Sequence, residues 1–146
     1  IRRQRQMCIR DSINTAETAT LVAILKLGRG RVFAGVPDSE LRQFRASMYH
    51  VEARIVDAAL QVTDRALEAG DLGLARWALT QGLLVSPDHE DLVAGCLRTE
   101  YQAGNMDKVA ELVDHLSATA RRLGVDLNED TTRIIDTVTH TDRRAS

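Results

Sequence analysis

Gly70 and Gly104 stand 34 residues apart, each inside a small-residue, Gly, Asp/Asn stretch: Ala69-Gly70-Asp71-Leu72-Gly73-Leu74-Ala75 and Ala103-Gly104-Asn105-Met106-Asp107-Lys108-Val109. That spacing belongs to two-helix repeat units, and a repeat constrains a fold more than any single segment does. In each copy the stretch separates two apolar patterns of helical period. Gly is suited to the left-handed residue that ends one helix, and Asp71 or Asn105 to the cap that opens the next. The expected unit is helix, tight turn, helix, made twice.

The flanking patterns fill in the rest of the chain. Thr15 to Leu27 reads as a helix with Leu21, Ala23, Leu25 and Leu27 apolar and Asn14 or Thr15 as its cap. Gly28-Arg29-Gly30-Arg31 reads as a flexible connection, since no strand precedes it and no Lys-Ser/Thr follows, as a phosphate-binding loop requires. Val32 to Pro37 supplies apolar cover for the next helix, which Asp38 or Ser39 would cap. That helix runs from Glu40 to Ala69, with Val51, Ile55, Ala59, Val62 and Ala66 as its buried stripe.

Leu74, Ala75, Ala78, Leu79 and Gly82 form the facing helix, small enough for close approach, and Pro87 after Ser86 ends it. Ser86 or Asp88 would start the second unit. Its helices carry Leu92, Val93, Cys96, Leu97 and Tyr101, then Val109, Leu112, Val113, Leu116, Ala120 and Leu123. A last helix, capped by Asn128 or Asp130, holds Ile134, Ile135 and Val138, and residues 140–146 read as a flexible polar tail.

Charge and composition narrow the function classes. Residues 1–12 hold four arginines and one acid, so the remaining chain has 15 basic against 20 acidic residues, a net of −5. Phosphate-binding domains are usually basic, and stacking platforms need aromatics, which make up 3% here. Direct nucleic-acid contact by this segment is therefore not expected. Apolar runs are too short to span a bilayer, so no membrane contact is expected and a soluble, cytoplasmic chain is. Residues 1–14 have no helical period and read as a non-native or disordered segment. Gln6 to Ser12 resembles translated sequencing-adapter read-through.

No residue pattern points to a reaction. His50, His89, His115 and His140 lack a carboxylate or cysteine at ligand spacing, Cys8 and Cys96 form neither a metal spacing nor a disulfide framework, and Ser117 and Thr119 have no base partner. Cys96 reads as a small core residue. Asp126, Glu129 and Asp130 sit where negative charge complements a helix start. The chain is read as a non-enzyme that uses no cofactor and no metal. Partner-binding candidates are Arg76, Trp77, Arg98 and Tyr101. Of these, Trp77 reads as core, with a concave groove for a partner peptide as the alternative.

Gly70, Ala75, Leu79, Gly82 and Pro87 fall at the spacings of the tetratricopeptide pattern, and the expected fold is an all-α, right-handed α-solenoid of such hairpins. Over about residues 17–138 the chain also resembles the bacterial transcriptional activator domain of Streptomyces antibiotic regulatory proteins and LysM-linked relatives. The matching stretches are Leu25-Lys26-Leu27-Gly28-Arg29-Gly30, Phe33-Ala34-Gly35-Val36, Ala69-Gly70-Asp71, Pro87-Asp88-His89-Glu90-Asp91-Leu92, Arg98 to Gly104 and Leu123-Gly124-Val125. The resemblance implies a single domain over residues 15–139, acting as a regulatory protein–protein interaction or oligomerisation module of a transcriptional regulator. DNA contact would then belong to a winged-helix domain outside this sequence. The alternative it implies is a helical scaffold segment of a LysM-containing, envelope-associated protein.

Overall fold

The structure, a computed structural model, describes residues 17–26 and 37–145, without the side chains of 38–41, 43–46 and 141–145. The expectations for residues 1–14, Thr15, the Gly28 to Arg31 connection and the Val32 to Val36 cover lie outside the described residues.

Every described element is a helix: α1 (residues 17–26), α2 (Asp38–Glu68), α3 (Leu72–Val85), α4 (Glu90–Gln102), α5 (Met106–Leu123) and α6 (Glu129–Ala145). The two Gly-centred turns are built alike. Ala69 and Ala103 end their helices at φ −82° and −74°, and Gly70 and Gly104 follow at φ +72° and +73°. Asp71 N–H reaches back to the Ala66 carbonyl and Gly70 N–H to that of Leu67. Asn105 and Gly104 make the same pair of bonds to Glu100 and Tyr101. This is the Schellman arrangement, in which a left-handed residue lets the last carbonyls of the helix be satisfied.

The caps divide. Asp71 Oδ1 accepts from Leu74 N–H at 2.9 Å, as expected of an N-cap. Asn105 holds the cap position of α5 without a capping side-chain bond; its Nδ2 donates to Glu100 Oε2 instead. The other cap expectations need correction in two places. Pro37 precedes α2, so neither Asp38 nor Ser39 occupies its cap position. His89 precedes α4, not Ser86 or Asp88, and the Asp88 carboxylate faces Arg122 at 3.5 Å. Asn128 does cap α6, its Oδ1 accepting from Thr131 N–H at 2.8 Å. The helical backbone of α6 continues to Ala145, through most of the segment expected as a tail.

Helix α2 packs on α3, α4 on both, and α5 and α6 on α4. Two apolar clusters result. The first joins Leu25 of α1 to Ile55, Ala59 and Val62 of α2, Ala78 and Leu79 of α3 and Leu92 of α4. The second joins Val93 and Leu97 to Val109 and Leu116 of α5 and Val138 of α6, with Leu83 packed against both. Val51, expected in the α2 stripe, is exposed. The 14 residues of α3 span less than half of the 31 of α2, and the buried stripe begins at Ile55. Leu123 and Ala23 are also exposed, at the end of α5 and on the outer side of α1.

Gly82 and Gly95 set how closely α2, α3 and α4 meet. A Cβ on Gly82 would lie 3.0 Å from Ala59 Cβ and 2.9 Å from a Leu92 methyl; one on Gly95 would lie 2.7 Å from a Leu79 methyl. The buried threonines Thr63 and Thr99 satisfy their hydroxyls by donating to carbonyls one turn back, at 2.8 Å each.

Candidate functional site

Helices α2, α4 and α6 together line one face, and two hollows lie along it. The first, about 580 Å³, is bounded by Leu67 and Glu68 of α2, Arg98, Tyr101 and Gln102 of α4, and Arg133, Ile134, Thr137 and Val138 of α6. The second, about 420 Å³, shares Arg98, Arg133 and Ile134 with it and extends to Leu60, Asp64, Asp91 and Asp130. The shared residues make them one groove, apolar at the end where α2 and α4 finish and acidic where α4 and α6 begin.

Local sequence explains which side chains face it. Asp64 and Arg98, Leu67 and Tyr101, and Glu68 and Gln102 are each separated by the same 34 residues as the two turn glycines. Each pair occupies one position in two successive helix pairs, so both members emerge on the same face. Contacts tie these positions across the helices. Arg98 Nη2 donates to Asp64 Oδ1 at 2.8 Å, and Gln102 Nε2 donates to the Leu67 carbonyl at 3.1 Å.

Four carboxylates (Asp64, Glu68, Asp91 and Asp130) and two guanidiniums (Arg98 and Arg133) line the groove. Both cations are committed to neighbours: Arg98 to Asp64, and Arg133 to Asp130 at 2.9 Å and Glu129 at 3.4 Å. Arg98 Nε is buried without a hydrogen-bond partner among the described residues. Among the described residues, Asp91 accepts only from the neutral amide of Asn128, at 2.8 Å. Glu68 is exposed at the rim with no ion-pair partner among the described residues.

Of the four residues singled out as partner-binding candidates, Arg98 and Tyr101 line this groove. Arg76 and Trp77 belong to α3 and lie outside it. Trp77 is half-buried against the first cluster, in agreement with its reading as core. Arg76 forks onto the Glu100 carboxylate, Nε to Oε1 at 2.8 Å and Nη2 to Oε2 at 3.0 Å, and so links α3 to α4. Those bonds hold the Glu100 carboxyl below its ordinary range, and the same contact raises the Arg76 guanidinium. Leu67, Asp64 and Arg133 carry no sequence expectation, and Ile134 and Val138 carry one only as apolar residues of the last helix. The 34-residue step from Arg98 and Tyr101 points back to Asp64 and Leu67; α6 is reached only through the packing.

Cys96 is half-buried beside the first cluster, and burial, with the Glu100 charge adding, pushes its thiol up to about 11. At neutral pH such a thiol is protonated and a poor nucleophile. Among the described residues no group of three or more His, Cys, Asp or Glu side chains could hold a metal ion, and no helix is long and apolar enough to cross a membrane. Comparisons with protein-family models, with curated proteins and with solved structures find no match to this chain.

Proposed function

We propose that this chain is a regulatory protein–protein interaction or oligomerisation module of a bacterial transcriptional regulator, built as a right-handed, tetratricopeptide-like α-solenoid. The observation that carries the interaction reading is the groove along α2, α4 and α6, whose α2 and α4 walls repeat at 34 residues. Repeat stacks of this kind present one continuous face for docking a partner segment. The regulator assignment, the cytoplasmic location and the winged-helix partner domain rest on the family resemblance over residues 17–138. Such a module acts by shifting the population of binding-competent states of the attached domain, and it needs no reaction chemistry of its own.

The test is made in the full-length gene of the source organism. Ile134→Glu places a charge in the groove wall. Transcript levels of a defined gene set change while the protein stays at wild-type abundance, if the reading is right. Unchanged transcripts at normal abundance would contradict it.

A further inference from the structure

From the charges left uncompensated along the groove, we infer that its occupant is a short peptide segment, apolar at its centre and carrying Lys or Arg at both ends. The inference rests on the docking reading above and names the partner's chemistry. With Arg98 and Arg133 each bound to carboxylates, the net charge of the groove is negative. Among the described residues, the groove carboxylates without a cationic partner are Glu68 at the apolar end and Asp91 at the other. Between them, Leu67, Tyr101 and Ile134 are half-buried and offer apolar surface to a central side chain. An acidic or uncharged occupant would leave both carboxylates facing like charge or nothing.

Spacing follows from the helices. Gln102, the counterpart of Glu68 on α4, is eleven residues from Asp91, which at 1.5 Å per residue is about 16 Å. Glu68 lies on α2, about 8–10 Å to the side of α4, so cationic residues that reach both carboxylates are about 19 Å apart, or about 12 residues of helix or about 6 of extended chain. The two ends are unequal. Asp91 lies in the first turn of α4, where the helix dipole is positive and offsets part of its charge; Glu68 closes α2, where the dipole is negative and adds to it. Glu68 is therefore the stronger cation site.

The experiment is a random-peptide display selection on the purified chain, followed by fluorescence anisotropy with the enriched peptides. The expected winners have an apolar centre with Lys or Arg on both flanks. Their affinity falls by about tenfold or more with Glu68→Lys, by less with Asp91→Lys, and falls as salt rises from about 0.05 to 0.5 M. Both substituted residues are exposed, and circular dichroism confirms that each variant is folded. Enriched peptides with acidic or neutral flanks that still lose affinity with Ile134→Glu would overturn the charge inference and leave the docking reading standing. No enrichment, or binding indifferent to Glu68→Lys, would also overturn the inference.

Discussion

Arg98 Nη2 and Asp64 Oδ1 meet at 2.8 Å across two helices, and the residues they belong to are 34 apart in sequence. The ion pair thus joins one position of α2 to the equivalent position of α4. Both side chains are more than a third exposed, so water and salt weaken the attraction. A double-mutant cycle with Asp64→Ala and Arg98→Ala should give a coupling of about 0.2–1 kcal/mol, shrinking as salt is raised. Its use to the fold is register between helix pairs more than stability.

Gly70 and Gly104 are left-handed, and neither has a heavy atom within 4 Å of where a Cβ would stand. The cost of a side chain there is one of backbone conformation. Gly70→Ala and Gly104→Ala should each destabilise by about 1–2 kcal/mol, measured by urea unfolding. Gly73 has ordinary helical φ and only Asp71 Oδ1 nearby, at 3.5 Å, so Gly73→Ala should be neutral or stabilising by up to about 1 kcal/mol.

Gly82 and Gly95 are the reverse case, crowded by neighbours. Alanine gains about 1 kcal/mol of helix propensity at either position, and overpacking opposes it by about 1–3 kcal/mol. At Gly95 the neighbour is the far end of Leu79, which can turn aside. At Gly82 it is Ala59 Cβ, fixed to the backbone, with Leu92 on the same side. Gly82→Ala should therefore lower the melting temperature clearly, and Gly95→Ala should change it little.

Glu100 links the fold to pH. Its carboxyl is held below the ordinary range by the Arg76 fork and the Asn105 amide. A group depressed in the folded state stabilises fully above its unfolded pKa of about 4.3 and loses that stabilisation as pH falls through the folded value. Wild type should thus unfold at a higher temperature than Glu100→Gln at pH 7. The two should converge as pH drops below about 4. A constant difference across that range would contradict the assignment.

Local features were legible where one short-range interaction decides the outcome. The Gly70 and Gly104 turns follow from Gly in a small-Gly-Asp/Asn frame, and the Asp71 carboxylate, with no ion-pair partner among the described residues, caps α3. Asn105 has the same position and a competitor: Glu100, five residues earlier, already draws in Arg76 and takes the Asn105 amide as well. Val51 has the period of the α2 stripe, but period does not say how far along α2 the 14 residues of α3 reach. The groove was half visible. Arg98 and Tyr101 stand out as polar and aromatic residues on an amphipathic helix, whereas Ile134 and Val138 join them only because α6 packs on α4, a contact no local pattern encodes.

The groove exists only if the first helix pair stacks on the second and α6 on that, and interproton contacts by nuclear magnetic resonance test this stacking most directly. Stacked pairs give cross-peaks from the Gln102 side-chain amide to Leu67 and Glu68, from Leu79 methyls to Gly95 Hα, and from the Asn128 amide to Glu90. Contacts confined to α2 with α3 and to α4 with α5, with none joining the pairs, would contradict the stacked arrangement and remove the groove with it.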